Sequence, residues 1–499
     1  MDVVRSRLPT AVYTADQVRT LDKIAIEEMG IAGYTLMCRA GEAAVAALRR
    51  RWPAAQSAAV YCGAGNNAGD GYVVARLAED LGLSVRVIAV VPPDRLSGDA
   101  ARAWHHYRQQ GGSFEPFDAG RVPEEDILVD GLLGSGLDRE LRGDFLAAVI
   151  AMEAARRPVL ALDIPTGLQA DTGLPLGTAV HADLTVTFVG LKQGLFVGEG
   201  ANYTGALEFA GLDIPPAAHA QVKAPIRRIT STDVRSVLPP RPRTTHKGDA
   251  GSLLLVGGGP GMSGAIRLAA EAALRSGAGL VRVATHPDSV GPVMAGRAEV
   301  MCAAIDDAQK LDPWLQVADG VVLGPGLGQS AWARAVWEQV LASELPVVLD
   351  ADGLNLLAED GRARSGWMLT PHPGEAGRLL ETSAREIQAS RLRAATQIAD
   401  RYQAVVVLKG AGTLVAAPNG VTIELCDRGN PGMATAGMGD VLAGILGGLL
   451  VQSGDIGAAA RAGVWIHAAC GDAAAEGGER GLLAGDLMAH IRRAVNPGG

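Results

Sequence analysis

Short apolar runs alternate along the chain with longer segments rich in Ala, Leu, Arg and Glu. The runs cover residues 58–65, 84–91, 126–134, 158–167 and 183–190 in the first half, and 251–259, 280–285, 320–326, 346–353 and 405–413 in the second. Continuous apolar runs of strand length are typical of strands buried on both faces. The sequence therefore predicts an α/β fold in which helices cover both faces of parallel sheets.

The alternation is interrupted in DIPPAAHAQVKAPIRR (213–228), a segment with three prolines and no clear period. Segments of this kind mark linkers between domains. We therefore predict two domains, residues 1–222 and 223–499. The two halves share an architecture but no motif, so they are not predicted to be an internal repeat.

The formal net charge of -9 argues against a nucleic-acid partner, because such proteins usually carry a basic surface. The first ten residues, MDVVRSRLPT, lack the apolar core of a signal peptide, and the longest apolar stretch, 441–451, is too short to span a bilayer. None of the five cysteines forms a CxxC pair, so neither a zinc site nor a disulfide framework is indicated. We expect a cytoplasmic protein with no membrane partner.

A dense run of Gly, Asn and Asp, CGAGNNAGDG (62–71), follows the first apolar run and precedes a helical segment. Glycines allow close backbone approach to a ligand, and the N-terminus of a helix offers free N–H groups to a phosphate. Asn66, Asn67 and Asp70 add polar groups. The alternative is a turn with an ordinary helix cap, but the density of the run favours a ligand site.

Two later strand ends also carry polar groups, Asp130 in LVDGLLGSGLDRE and Asp163 in LALDIPTGL, with Thr166 three residues further on. Each carboxylate could be a helix cap or a functional group. Because the carboxyl ends of parallel strands meet at one edge of a sheet, we expect these groups to converge. Oxygen ligands from Asn67, Asp130 and Thr166 would suit a hard cation rather than zinc.

The order NNxGD, VDGLLGSGL, DIPTG resembles the NAD(P)H-hydrate epimerase family, and the resemblance extends from about Tyr13 to Leu212. It implies a Rossmann-like αβα sandwich, a potassium ion held by Asn67, Asp130 and Thr166, and Asp163 as the catalytic acid/base that also contacts the substrate. The remaining substrate contacts that it implies are Asn66, Asn67, Ala68, Gly69, Asp70, Gly134, Ser135, Gly136, Leu137, Asp138, Arg139 and Glu140. Ala68 departs from the usual glycine, and Thr166 from the usual serine.

The second half contains GNPGMATAGMGD (429–440), followed at once by the apolar run VLAGILGGLL. A glycine-rich loop at the start of a helix can bind an anion through its backbone N–H groups, and Asp440 would sit beside the reacting group. The alternative is a flexible loop in which Asp440 is a helix cap. A second glycine motif, LKGAGT (408–413), lies at a strand end and could hold the phosphates of a nucleotide, although no P-loop motif is present.

This arrangement resembles the ribokinase-like superfamily and, more closely, the ADP/ATP-dependent NAD(P)H-hydrate dehydratases. The signatures that carry the resemblance appear in the family's order: HKGDAG (246–251), GGGPGMSGA (257–265), AEVM (298–301), LGPGLG (323–328), DADGLNLL (350–357), LTPHPGE (369–375), LKGAGT and GNPGMATAGMGD. The resemblance implies substrate contacts by Ala265, Gly326, His372 and Asp440, with Asp440 as the catalytic base. It implies nucleotide contacts by Lys409, Gly410, Ala411, Gly412, Thr413 and Gly439. Met438 departs from the commoner Ser or Thr.

Together the two resemblances imply a bifunctional repair enzyme for hydrated NADH and NADPH, dependent on potassium in the first domain and on ADP or ATP with magnesium in the second. Its partners would be these small molecules, and a homo-oligomer is expected. One alternative is a ribokinase-like small-molecule kinase, which the Asp440 loop alone would permit. Another is that the first domain is a non-catalytic binding module, against which the presence of Asn67, Asp130 and Asp163 argues.

Overall fold

The computed structural model describes residues 8–496, so residues 1–7, part of the segment without a signal core, lie outside the described chain. The chain divides into two compact units whose junction lies between Ile226 and Arg227. Among residues 8–496, no helix combines the length and the apolar character needed to cross a membrane.

The first unit is built on a seven-stranded sheet with helices on both faces. The strands of this unit are β1 (Ala11–Tyr13), β2 (Ser57–Cys62), β3 (Ser84–Ala89), β4 (Glu115–Pro116), β5 (Ile127–Gly131), β6 (Val159–Leu162), β7 (Leu184–Phe188), β8 (Leu191–Lys192) and β9 (Ala206–Ala210). All of them belong to the seven-stranded sheet except β1 and β8, which pair with each other. Its α-helices are α1 (Ala15–Lys23), α2 (Gly33–Arg51), α3 (Asn66–Asp80), α4 (Gly98–Gln109), α5 (Gly143–Ala155), α6 (Gly200–Thr204) and α7 (Pro216–Gln221). A π-helical segment, Ile24–Glu28, extends α1, and short 3₁₀ segments lie at Pro93–Arg95 and Gln193–Leu195.

The sheet has the order β4-β3-β2-β5-β6-β7-β9, and all of its strand pairs are parallel. Alternate residues of β2 serve different cores: Val60 packs with α2, α3 and α4, whereas Tyr61 packs with α5 on the opposite face. This alternation follows from the pleat of a strand, in which successive side chains point to opposite faces. The predicted three-layer αβα sandwich is confirmed for this unit.

The second unit has a larger sheet. Its strands are β10 (Ile226–Arg228), which spans the junction, β11 (Ser252–Gly257), β12 (Leu280–Thr285), β13 (Met301–Ala304), β14 (Gly320–Leu323), β15 (Val347–Leu349), β16 (Trp367–Leu369), β17 (Val405–Leu408), β18 (Thr413–Ala416) and β19 (Ile423–Cys426). Its α-helices are α8 (Ser231–Val237), α9 (Ser263–Ser276), α10 (Pro287–Met294), α11 (Asp312–Leu315), α12 (Ala331–Ala342), α13 (Asp352–Asp360), α14 (Pro373–Leu380), α15 (Ala384–Ala389), α16 (Arg391–Tyr402), α17 (Met438–Ser453), α18 (Ile456–Ala474) and α19 (Met488–Ala494). Short 3₁₀ segments lie at Ala308–Leu311, Pro431–Met433, Ala475–Gly477 and Ala484–Leu487.

The strand order within this unit is β13-β12-β11-β14-β15-β16-β17-β18-β19-β10, and pairing is parallel from β13 to β17. Strand β18 is antiparallel to both β17 and β19, which the apolar runs did not predict. The reason is the short LKGAGT turn, because a parallel return would need a crossover of a dozen or more residues. The prediction of a covered α/β sheet is confirmed for this unit as well.

Helix α17 lies very close to its neighbours because it carries glycine where side chains would not fit. A Cβ on Gly444 would come within 2.1 Å of the main-chain oxygen of Ala269 in α9, and one on Gly447 would come within 2.4 Å of Val322 Cγ2 in β14. The helix is almost wholly apolar after its first turn and sits in the main core of the unit. Its start, which carries Asp440, is therefore fixed by this close packing.

Replacing Gly444 by alanine is expected to destabilise the second unit by about 1–3 kcal/mol, because the new methyl group meets backbone atoms that cannot move aside easily. Gly457→Ala in α18 is the matched control, since the nearest atom to its Cβ would lie 3.5 Å away. That change should be neutral or slightly stabilising. Thermal denaturation followed by circular dichroism measures both. Equal stability of the two variants would contradict the close packing of α17.

Candidate active sites

A cavity of about 960 Å³ opens in the first unit. Its wall contains residues that follow four adjacent strands: 65–67 and Asp70 after β2, 132–142 after β5, Asp163 after β6, and the segment around Lys192 after β7. This is the carboxyl edge of the sheet, where open α/β folds bind their ligands. The structure thus brings together the three strand ends on which the sequence prediction rested.

Most of the predicted substrate residues line this cavity. They are Asn66, Asn67, Asp70, Asp163 and the whole loop from Gly134 to Glu140. Ala68 and Gly69 instead lie in the first turn of α3 and face its neighbours: Ala68 is fully buried, and a Cβ on Gly69 would come within 2.9 Å of Ala100 Cα. The structure therefore places these two residues in helix packing rather than in the cavity wall.

Asp163 is held in an unusual conformation at the end of β6. Its backbone is left-handed, with φ of 67°, and Ser135 donates its N–H to Oδ2 at 3.3 Å. The ammonium group of Lys192 forms an ion pair with Oδ1 and also donates to the main-chain oxygen of Phe188 at 2.8 Å. Lys192 is only 1% exposed. The carboxylate and the buried cation therefore form one fixed unit in the cavity wall.

Two further carboxyl groups, Asp22 and Asp70, line the same cavity. Burial raises the pKa of Asp22 to about 6, while the Lys192 ammonium lowers it and the Asp163 carboxylate raises it. Burial raises the pKa of Asp70 well above its usual range, and the charges of Asp163 and Asp22 add to the rise against the opposing effect of Lys192. The cavity therefore combines a paired carboxylate with carboxyl groups whose pKa values are raised, an arrangement suited to acid/base chemistry.

Of the three residues predicted to hold a cation, Asp130 and Thr166 are bonded to each other, and Asn67 lines the cavity. Asp130 is fully buried and accepts the hydroxyl and the N–H of Thr166, both at 2.7 Å. Burial raises the pKa of Asp130 to about 6, although the hydrogen bonds from Thr166 lower it. The side-chain amide of Asn67 is buried, and neither its oxygen nor its nitrogen has a hydrogen-bond partner within residues 8–496. A buried amide without partners is costly, so it calls for a ligand.

The second unit has its own cluster of charges at a strand edge. Lys409, after β17, donates to Asp350 Oδ1 at 2.8 Å and lies 3.7 Å from Glu375 Oε2. Burial raises the pKa of Asp440 to about 7; Asp350 raises it further, Lys409 lowers it, and Asp352 adds a smaller rise. An aspartate that titrates near neutrality beside a lysine is suited to act as a general base.

Among the other predicted residues of this unit, Gly439 adjoins this cluster of charges, and Gly326 adjoins Ala265. A Cβ on Gly439 would lie 3.4 Å from Lys409 Nζ, so the glycine loop lies directly against the lysine. Gly326 has a left-handed backbone, with φ of 59°, and its Cβ would lie 3.1 Å from Ala265 Cβ. The residue that departs from the family pattern, Met438, is buried in the main core. Its side chain therefore packs and does not occupy the loop surface.

His372 caps helix α14. Its Nδ1 accepts the N–H groups of Gly374 at 2.9 Å and Glu375 at 3.4 Å, and Glu375 returns a bond to the N–H of His372. Half of the His372 side chain is exposed, with 51% of its surface accessible. The cap fixes the ring, and its other nitrogen, Nε2, lies 3.5 Å from Glu375 Oε1.

Sequence reasoning gave no role to several groups that the structure brings into these sites: Asp22, Lys192, Asp350 and Glu375. Asp350 could have been found, because it ends an apolar run in the same way as Asp130 and Asp163. Lys192 had no such signal, because it follows a strand without a glycine motif. Asp22 had none, because it lies within an ordinary amphipathic helix.

Comparison with known proteins covers both units. The family model described as YjeF-related protein N-terminus matches residues 33–194, and the model described as NAD(P)H-hydrate dehydratase matches residues 253–493. A bifunctional NAD(P)H-hydrate repair enzyme from Coxiella burnetii is 47% identical over 98% of this chain and 100% of its own length. The sequence-based resemblances to both families are therefore confirmed.

Two solved structures resemble the second unit. A ribokinase-like superfamily protein from Enterococcus faecalis covers 54% of this chain and 95% of its own, with a TM-score of 0.51 and 28% identity. An ADP/ATP-dependent NAD(P)H-hydrate dehydratase from Bacillus subtilis, co-crystallised with ATP and Mg²⁺, covers 54% of this chain and 96% of its own, with a TM-score of 0.48 and 31% identity. The predicted ribokinase-like fold of the second unit is confirmed, and the chain belongs to the family of bifunctional NAD(P)H-hydrate repair enzymes.

Proposed function

We propose that the first unit interconverts the R and S forms of hydrated NADH and NADPH, and that the second unit dehydrates the S form back to NAD(P)H at the expense of ADP or ATP. The observation that carries the proposal is that each unit of a chain belonging to this family places acid/base carboxylates beside a lysine at its strand edge. All five cysteines are free thiols, which supports a reducing, cytoplasmic location.

Epimerisation at C6 of the hydrated ring requires the hydroxyl group to leave and water to return on the other face. The lone pair of the adjacent ring nitrogen expels the hydroxyl, which departs as water after taking a proton, and a planar cation remains. Asp70 can supply that proton, and the Asp163 carboxylate can accept one from the incoming water. The negative charge of Asp163 also stabilises the cation between the two steps, while Lys192 holds this carboxylate in position.

Asp163→Asn and Lys192→Met are each expected to lower the rate of epimerisation by about 10²–10⁴-fold, since the first removes the base and the second its orienting partner. Asp144→Asn, an exposed position in α5, is the matched control. Chromatographic separation of the two epimers measures the rate, and dehydration of the pure S form shows that the second unit is intact. An Asp163→Asn enzyme that epimerises at the rate of the unchanged protein would refute this role.

We propose further that Asn67, Asp130 and Thr166 hold a potassium ion. The unpartnered buried amide of Asn67 and the fully buried pair of Asp130 and Thr166 support this, because two neutral oxygens and one carboxylate suit a cation of low charge. The ion would supply positive charge that fixes the loops after β2 and β5.

Potassium at ten times its Kd is therefore expected to stabilise the first unit by about 1.4 kcal/mol and so to raise its melting temperature. Thr166→Ser keeps the hydroxyl and should keep the shift, whereas Thr166→Val should abolish it. Differential scanning calorimetry in potassium or lithium chloride at equal ionic strength gives the readout. A shift that is the same in both salts, or that survives Thr166→Val, would rule out this site.

Dehydration has a different obstacle, because hydroxide is a poor leaving group. Transfer of a phosphoryl group from ADP or ATP to the C6 hydroxyl makes phosphate the leaving group, and its departure with loss of a proton from C5 restores the ring. Asp440 would take the hydroxyl proton, and the loop ending at Gly439 would stabilise the transferring group. Magnesium is expected with the nucleotide phosphates.

Because Asp440 must be ionised to act as a base, and burial raises its pKa to about 7, kcat/KM for the S hydrate should rise with pH up to about 7 and then level off. Asp440→Asn should lower the rate by about 10²–10⁴-fold and remove this pH limb. The same change should leave the melting temperature unchanged or higher, since it removes a charge that Asp350 and Asp352 repel. A flat pH profile for the unchanged enzyme would contradict the assignment.

A mixture of both epimers, supplied with ADP or ATP in turn, tests the whole proposal through the absorbance of regenerated NADH. Complete conversion requires both activities, whereas conversion of one epimer alone would refute the function of the first unit. A stable phosphorylated product without NADH would instead support a small-molecule kinase.

A further inference from the structure

Arg391, the first residue of α16, is buried behind the LKGAGT loop. It is 3% exposed, and its Nη2 donates to the main-chain oxygens of Leu408 at 3.2 Å, Lys409 at 3.2 Å and Gly412 at 3.3 Å. Its Nη1 donates to the side-chain oxygen of Gln388 at 2.7 Å. The guanidinium group therefore fastens both ends of the loop from within the protein.

No acid in the described part of the chain neutralises this cation. Arg391 has no ion pair within residues 8–496, its Nε has no hydrogen-bond partner there, and burial lowers its pKa to about 10. The equally buried Arg228, by contrast, pairs with Asp427 at 2.7 Å. An unpaired buried charge lowers the stability of the fold by several kcal/mol. Because this charge lies beside a loop at a strand edge, we expect an anionic ligand to bind there.

The loop presents donors on the side away from Arg391. The carbonyl of Lys409 and the N–H of Gly410 belong to one planar trans peptide, so the N–H points opposite to the carbonyl that faces the guanidinium. Within residues 8–496, the N–H groups of Gly410, Ala411 and Gly412 donate to no acceptor. A Cβ on Gly410 would lie 2.9 Å from Arg391 Nη1, which shows how closely the backbone rests on the cation. Successive free N–H groups of this kind form an anion nest.

Lys409 cannot supply the missing positive charge, although it begins the loop. Its ammonium group is bound to Asp350 at 2.8 Å and lies 3.7 Å from Glu375, and Asp440 adds a third nearby carboxyl group. The carboxyl groups around Lys409 outnumber it. Arg391 is therefore the uncompensated cation beside the loop.

We propose that Arg391 is the positioning residue that gives the loop at residues 409–413 its affinity for the phosphates of the adenine nucleotide, acting through the loop backbone without touching the ligand. This inference rests on the proposed nucleotide dependence of the second unit. On this inference, the affinity for the phosphates depends on Arg391, whereas the affinity for the nucleoside does not.

The test places a carboxylate beside Arg391 without removing any of its hydrogen bonds to the loop. Gln388 is exposed and accepts from Arg391, so Gln388→Glu should pair with the guanidinium and cancel its charge while the fold is kept. The Kd for ADP and ATP should rise about tenfold, as expected for loss of one unit charge at this range. Binding of adenosine and the KM for the S hydrate at saturating ADP should not change. Gln316→Glu, exposed at the end of α11, is the matched control.

Two variants at Arg391 itself complete the experiment, with full-length protein and isothermal titration calorimetry throughout. Arg391→Lys should keep ADP affinity within a few-fold, whereas Arg391→Met should lose it as Gln388→Glu does. Thermal denaturation checks that each variant is folded. Unchanged ADP affinity in Gln388→Glu, or equal loss for ADP and adenosine, would overturn the inference. Failure of the unchanged enzyme to bind any adenine nucleotide would refute the proposed nucleotide dependence itself.

Discussion

In both units a lysine beside a carboxylate lies at the carboxyl edge of a parallel sheet. Lys192 with Asp163, and Lys409 with Asp350, form ion pairs in places where an isolated charge would be strongly destabilising. Each pair fixes the end of one strand relative to the end of another, and the glycine loops are arranged around the pair. Burial raises the pKa of the remaining acid/base groups, Asp70 in one unit and Asp440 in the other, and the charges of these pairs modify the rise. The chemistry of each site therefore depends on a pair in which one partner, Lys192 or Asp350, is almost wholly buried.

Much of this arrangement could be predicted from sequence. Apolar runs bounded by Gly, Pro or Asp indicated the sheets. The rule that parallel strands end at one edge agrees with the common cavity wall of Asn67 and Asp163 and with the contact between Asp130 and Thr166. The sequence could not predict the groups that reach the carboxyl edge of the sheet from elements other than the glycine-bearing strand ends. Asp22 arrives on a helix whose period indicates only a buried face, and Lys192 comes from a strand of two residues. Arg391 is the first residue of a helix rich in charged side chains, so nothing in its neighbourhood distinguishes it from a solvated arginine.

The glycine-rich motifs also have more than one physical cause. In the LKGAGT loop, glycine allows the backbone to rest on a guanidinium group and to turn back within four residues into an antiparallel strand. In α17, glycine allows a helix to approach α9 and the sheet at backbone distance, which fixes the position of Asp440. In α3, Gly69 serves helix packing although it lies inside a ligand-binding motif. A glycine within such a motif is therefore not by itself a contact residue.

The left-handed backbone of Asp163 has a consequence for the evolution of the family. A non-glycine residue in this region costs about 1–2 kcal/mol, and asparagine tolerates it better than most residues. Ala351, which follows Asp350 at the edge of the second sheet, is strained in the same way, with φ of 48°. Substitution at residue 351 can thus relieve strain, whereas any replacement of Asp163 would leave the buried ammonium group of Lys192 without its partner and destabilise the fold. A copy of this chain released from selection for repair would be expected to keep Asp163, because the fold as well as the reaction depends on this residue.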